Sequence, residues 1–338
     1  MAFNFDDITW RGKSLVRPEC VLATRAGFIY VSDFRGGVTE ISPDGTQRFY
    51  GGEKVAGYGL LKPNGIALLA NGDFLIAHLG DTQGGIFRIT REGKCSAFIT
   101  HITGEALPPS NFIYLDHQDR LWITVSTRTC PRAAAYNSQV SDGFIAVIEN
   151  GKARVVADNL GYTNEMYVDP DGKNLYVNAT FSRELIRYRV EANNDLVEPQ
   201  VISRFGAGTY PDGLTRDTQG NFWVTSIVSN RVIRIDENGE QQIVLEDNDP
   251  AHLEWVEEAF IAGEMGRPHL DNIKSQHFKS ISSLAFSGED LSQLNLGCLL
   301  DDKIASIDSQ RLSDTKIQGI APAHWLFDDH RSVNSNVK

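Results

Sequence analysis

Gln219-Gly220-Asn221-Phe222-Trp223-Val224 is a turn followed by a β-rich run, and the phrase recurs along the chain. Earlier copies are Ala26-Gly27-Phe28-Ile29-Tyr30-Val31, Asn71-Gly72-Asp73-Phe74-Leu75-Ile76, Gln118-Asp119-Arg120-Leu121-Trp122-Ile123 and Asp171-Gly172-Lys173-Asn174-Leu175-Tyr176-Val177. A degenerate sixth is Asn295-Leu296-Gly297-Cys298-Leu299-Leu300. The leading apolar residues stand at 28, 74, 121, 175, 222 and 298, at intervals of 46, 47, 54, 47 and 76. A second alternating run follows each copy, as in Gly85-Ile86-Phe87-Arg88-Ile89 and Val232-Ile233-Arg234-Ile235. Such runs, bounded by Gly, Asp and Asn, read as antiparallel hairpins. A unit of about 45 residues with four short strands is a propeller blade. Hairpins of a sandwich have no reason to keep phase through six copies. The expectation is therefore an all-β chain, one six-bladed β-propeller domain over residues 1–338.

The long last interval calls for an insertion over residues 250–278. Apolar positions 253, 256, 260 and 261 share one helical face there, and Gly263 is a plausible stop. A short helical insertion between blades is expected, serving as a lid or a subunit contact. The tail, 331–338, is expected to fray. Two segments compete to close the last blade: Asp7-Ile8-Thr9-Trp10 and Ala323-His324-Trp325-Leu326-Phe327.

The chain has 32 Lys and Arg against 44 Asp and Glu, a formal charge of −12. That balance argues against nucleic acid or an anionic membrane face as partner, since both need clustered cations. No apolar run approaches the roughly 18 residues of a membrane span. The opening Met1-Ala2-Phe3-Asn4-Phe5-Asp6-Asp7 lacks the order of a secretion signal. The expectation is a cytoplasmic protein with a small-molecule substrate, with a homo-oligomer left open. Cys20, Cys95, Cys130 and Cys298 show no CxxC spacing and read as four buried small hydrophobes.

Before each phrase lies a short element that suits the innermost strand of a blade. In order these are Pro18-Glu19-Cys20-Val21, Pro63-Asn64-Gly65-Ile66, Ser110-Asn111-Phe112-Ile113, Thr163-Asn164-Glu165-Met166, Pro211-Asp212-Gly213-Leu214 and Ile281-Ser282-Ser283-Leu284. Aligned, they put Glu19, Asn64, Asn111, Asn164, Asp212 and Ser282 at equivalent places, and each offers an oxygen. Asn and Asp also mark turns entering strands, which suffices for any one position. A whole ring of them points to chemistry. Carboxylates converging in a narrow channel repel and lose water, at a cost of several kcal/mol unless a cation compensates. Two carboxylates with amide oxygens, and no His or Cys set, suit a hard divalent ion.

These elements carry a resemblance. Pro211-Asp212-Gly213, Thr163-Asn164 and Pro18-Glu19, with the six-blade phrase, resemble the gluconolactonase, senescence marker protein and luciferin-regenerating enzyme family. The resemblance covers most of residues 15 to 308. It implies a propeller with one catalytic divalent metal in the channel, Ca²⁺ first, with Mg²⁺, Mn²⁺ or Zn²⁺ as alternatives. By position, Glu19, Asn164 and Asp212 are the implied ligands, Asn111 lies beside the metal, and Asn64 is a weaker substrate contact. Asp212, Asn111 and Glu19 are the implied catalytic group. The implied reaction is hydrolysis of a lactone or related cyclic ester. There are departures: Glu19 sits in Arg17-Pro18-Glu19-Cys20 where the family has Gly-Glu-Gly-Pro, and Glu165 stands where Gly is usual. Related scaffolds also resemble phosphotriesterases, lyases and strictosidine synthase, and a binding propeller without chemistry is a further alternative. No GxSxG elbow, Walker loop or HExxH is present. His269 could face the channel from the insertion, and Tyr162, Tyr210, Phe112 and Trp255 could line its wall. Arg128 and Arg132 on the loop after the third phrase could bind a substrate carboxylate, with solvation as their simpler role.

Overall fold

A computed structural model describes residues 3–332. The recurring turn forms for a local reason. Gly27, Gly72, Gly172 and Gly220 all hold positive φ, and Asp119 takes the same place in the third copy at φ 58°. Only Gly, or a short polar residue such as Asp, enters this region cheaply. The runs on either side then pair as antiparallel strands.

Six four-stranded units result, their innermost strands being Val21–Ala23, Pro63–Leu68, Phe112–Leu115, Thr163–Val168, Tyr210–Arg216 and Ile281–Ser287. The chain is a six-bladed β-propeller. Blade 1 runs outward through Ile29–Asp33, Gly37–Ile41 and Gln47–Gly51, and blades 2 to 5 repeat that order. Blade 3 gains a small outer hairpin, His101–Ile102 with Glu105–Ala106. Blade 6 is closed by the N-terminus: Thr9–Arg11 pairs antiparallel with Ile304–Asp308, Trp10 opposite Ala305. This decides between the two closing segments, and it removes a free sheet edge.

The other segment runs beneath the wheel. Ile320 N donates to Arg216 O (3.1 Å), Arg25 N to Trp325 O (2.9 Å) and Tyr30 Oη to Asp328 Oδ2 (2.5 Å). It thereby stoppers the end of the channel where the innermost strands finish. Arg331, within the stretch expected to fray, donates twice to Glu40 at 2.8 Å; positions 333–338 lie outside the described residues.

The insertion between blades 5 and 6 contains α1, Pro250–Ala262, and α2, Arg267–Asp271. Asp249 caps α1 by accepting from His252 N, and Gly263 ends it at φ 71°. The buried face is His252, Val256 and Phe260, a strict i, i+4 line. Ile261, expected on that face, is 76% exposed, because one further residue turns the helix by about 100°. Phe260 and Val256 pack on Tyr162, Phe181 and Tyr210 at the tops of blades 4 and 5. Glu257 ties the helix down by pairing with Arg183 (2.6 Å) and accepting from Gly208 N (2.9 Å). Of the cysteines, Cys20 and Cys298 are buried, but Cys95 is half-buried on an outer strand and Cys130 is exposed on a loop. No described helix is long and apolar enough to cross a membrane.

Candidate active site in the channel

The six aligned residues are all buried at the narrow end of the blades: Glu19, Asn64, Asn111, Asn164, Asp212 and Ser282. Four of them fall where the innermost strand loses register with its neighbour, between Pro63 and Ile66, Thr163 and Met166, Pro211 and Leu214, and Ile281 and Ser283. Such bulges re-aim side chains. Hydrogen bonds then lock each blade to the next. Arg17 reaches Asn64 Oδ1 at 3.5 Å, Asn64 Nδ2 donates to Asn111 O (3.1 Å), and Thr163 Oγ1 to Val125 O (2.6 Å). Thr180 Oγ1 donates to Pro211 O (2.8 Å), Thr225 Oγ1 to Ser282 O (2.8 Å) and Ser282 Oγ to Glu19 O (3.1 Å). Pro-Asp-Gly has a steric cause: a Cβ on Gly213 would lie 2.7 Å from Ser282 O.

The ring leaves oxygens without donors. Asn111 Oδ1 and Asn164 Oδ1 are buried and have no hydrogen-bond partner. Asn164 is fixed with that oxygen free because its Nδ2 donates to Thr180 Oγ1 (3.2 Å). Asp212 is held well above the usual carboxylate range, first by burial, then by the charges of Glu19 and Glu165, with Arg17 and Arg132 pulling the other way. Glu19 gives one oxygen, Oε2, to Arg17 (Nη2 at 2.7 Å, Nε at 3.0 Å). Among the described residues no three His, Cys, Asp or Glu side chains converge. The donors are instead two carboxylates and two orphaned carboxamide oxygens. Buried acceptors without donors are costly, and this hard-oxygen set fits a divalent cation of the Ca²⁺ or Mg²⁺ kind.

Four residues near the ring escaped the sequence reading or were read differently. Arg17 stands just outside the repeated phrase, at φ 53°, with its guanidinium 4.8 Å from the Phe34 ring centroid. Thr180 had no motif to mark it. Arg132 does not remain on a solvated loop: the turn Arg132–Ala135 folds it inward, and Nη2 donates to Tyr162 Oη at 2.8 Å. Its neighbour Arg128 does stay outside, paired with Asp158 at 2.7 Å. Glu165 points below the ring into a cavity of about 70 Å³, with Cys20, Phe112 and Ser283 on its walls and His324 of the stopper on its floor. Burial there pushes the Glu165 carboxyl up to about 8, although Ser283 and the Leu214 amide favour its charged form. His269 stays within the insertion. Its ring stacks on Trp255 at 4.1 Å, and Nδ1 accepts from Gly266 N (3.0 Å).

A family model for the SMP-30/gluconolactonase/LRE-like region matches residues 18–248, which include five of the six ring positions. The chain belongs to this family. Solved structures resemble it in fold. A luciferin-regenerating enzyme is 16% identical, with a TM-score of 0.66 over 94% of this chain and 98% of its own. A gluconolactonase from Xanthomonas campestris is 16% identical, with a TM-score of 0.63 over 89% of each chain. A calcium-binding regucalcin from Agrobacterium tumefaciens is 17% identical, with a TM-score of 0.58 over 88% of this chain and 93% of its own. No curated protein matches the sequence.

Proposed function

We propose that this family member is a divalent-cation-dependent hydrolase that opens a lactone or related cyclic ester at the channel mouth. The observation behind this reading is the pair of buried oxygens without donors on blades 3 and 4, Asn111 Oδ1 and Asn164 Oδ1, together with the buried Asp212 carboxylate on blade 5. Glu19, Asn164 and Asp212 are the residues to hold the ion, with Asn111 beside it, and Ca²⁺ suits their oxygens best. When bound, such an ion polarises an ester carbonyl and acidifies water.

The chain's own residues do the rest. Arg17 occupies Glu19 Oε2 and so leaves Oε1 as the oxygen to meet the ion. Thr180 holds Asn164 in the one orientation that presents its oxygen. Asp212 Oδ receives the proton of the attacking water. The water oxygen bonds to the acyl carbon, the ring C–O bond breaks, and the proton passes to the departing alkoxide. The product is a hydroxy acid. The stopper under the channel leaves the opposite end for substrate entry.

The test is a panel of lactones, aryl esters and organophosphates, run with and without chelator. Lactone opening that stops on chelation and returns with Ca²⁺ is expected, with Glu19→Gln and Asp212→Asn each losing at least about 100-fold in kcat/KM. Full turnover by either variant with the cation stripped would overturn the proposal, and so would cleavage of organophosphates alone.

A further inference from the structure

Two guanidinium groups act on the acids of the ring, Arg17 by contact and Arg132 by its charge. Arg17 spends Nε and Nη2 on Glu19 Oε2. Arg132 spends Nη2 on the Tyr162 hydroxyl, while its Nε is buried without an acceptor. No carboxylate among the described residues pairs with Arg132. The other arginines of this end are neutralised locally: Arg128 by Asp158, Arg183 by Glu257 and Arg231 by Glu246. The charges of Arg17 and Arg132 both reach Asp212, and that of Glu19 reaches Arg132, so all four groups share one field.

The charge count is then simple. Glu19 and Asp212 carry two negative charges, and a divalent ion cancels both. Arg17 and Arg132 remain, a surplus of two positive charges in a partly buried mouth. A guanidinium taken from water without a counter-charge costs several kcal/mol. A neutral sugar lactone would leave that cost standing, whereas a carboxylate offers the planar fork that Arg binds through two N–H groups.

We infer that the substrate is an acidic lactone whose carboxylate seats against Arg132. This rests on the lactone-opening reading above, and the test separates the two. The probes are 5-oxotetrahydrofuran-2-carboxylate, the same ring as its carboxamide, and the ring-opened acid 2-hydroxyglutarate. In the Ca²⁺-loaded enzyme kcat/KM should favour the carboxylate over the carboxamide by about 10–100-fold, the worth of one charge-assisted contact. Arg132→Gln should bring that ratio to within about threefold, and Arg132→Lys should leave it intermediate. Calorimetry supplies a readout free of turnover: 2-hydroxyglutarate should bind the Ca²⁺-loaded protein, and Arg132→Gln should weaken that binding by about 10-fold or more. Thermal melts establish that each variant is folded. Equal opening of both lactones overturns the acidic-substrate inference and leaves the hydrolase standing. No opening, with binding that still depends on Arg132, overturns the hydrolase and keeps the anion site. Neither opening nor Arg132-dependent binding removes both.

Discussion

Asp212→Asn separates the cation from the fold. In the cation-free protein at pH 7 Asp212 is buried, and the charge of Glu19 opposes its own. Asparagine keeps the shape and removes the repulsion, and relieving an unfavourable buried charge is worth on the order of 1–4 kcal/mol. Unfolding entropy near 2.1 cal/mol/K per residue over 338 residues gives about 0.7 kcal/mol per degree. The chelated variant should therefore melt about 1–6 °C above the chelated parent. Ca²⁺ at about a hundred times its Kd should stabilise the parent by about 2.7 kcal/mol, or about 4 °C, and the variant hardly at all. Differential scanning calorimetry at pH 7 with stepped Ca²⁺ reads both shifts. Glu19→Gln relieves the same repulsion but leaves Arg17 without its partner, so the double variant should differ from the sum of the two singles. A chelated Asp212→Asn protein that melts below its parent, or one that keeps the full Ca²⁺ shift, would refute the reasoning.

Acid should unfold the protein through two buried histidines. Burial holds His78 and His324 at about 4 when folded, against about 6.5 unfolded. The unfolded chain takes those protons first, so stability is full above about pH 6.5 and falls as pH drops toward 4, by up to about 3 kcal/mol per histidine. Denaturant melts across that window should show the slope flatten in His78→Gln with His324→Gln; an unchanged slope would refute it. Glu257→Gln should loosen the insertion, because Arg183, 12% exposed and stacked over Tyr210 and Phe260, loses its counter-charge and one of its two accepting oxygens. A local cost of about 2–3 kcal/mol is expected after allowing for partial exposure, seen as faster hydrogen exchange in α1. Unaltered protection there would show that the apolar face alone holds the helix.

How far the sequence could be read follows from what repeats. The Gly turns and alternating runs recur because every blade solves the same local problem, so six blades and their order were visible. The ring positions were visible for the same reason: Asn64, Asn164, Asp212 and Ser282 each occupy the same bulge. Features that occur once left no such trace. Arg17 lies one residue before Pro18-Glu19 and is drawn to the mouth by its contacts with Glu19 and Phe34. Arg132 is turned inward by a single 3₁₀ turn on a loop that no other blade shares. The competition between residues 7–10 and 323–327 was also undecidable locally, since both are apolar and short; pairing of Trp10 with Ala305 is a contact across nearly the whole chain.

The bulges explain why one channel holds two unlike layers. A regular strand sends successive side chains to opposite faces. In blades 2, 4 and 5 an extra residue at the register break lets two consecutive positions face inward, and in blades 1 and 3 the polar residue lies just ahead of the innermost strand. The first positions, Glu19, Asn64, Asn111, Asn164, Asp212 and Ser282, make the polar ring. The next ones, Cys20, Gly65, Phe112, Glu165, Gly213 and Ser283, make the layer beneath it. Two of these must be glycine, because a Cβ on Gly65 would lie 2.7 Å from Phe112 Cα and one on Gly213 would lie 2.8 Å from Ser283 Cα. At blade 4 the strands part enough for Glu165, whose Oε2 accepts from Leu214 N at 3.1 Å. That single side chain puts a third carboxyl under the ring, in a cavity floored by His324. Raised to about 8 by burial, it is mostly protonated at pH 7 and opposes the charge of Asp212 only as pH rises past that value. The residue that departs from the family pattern thus adds a largely protonated group beneath the ring, and the charge that calls for a cation is that of Glu19 and Asp212.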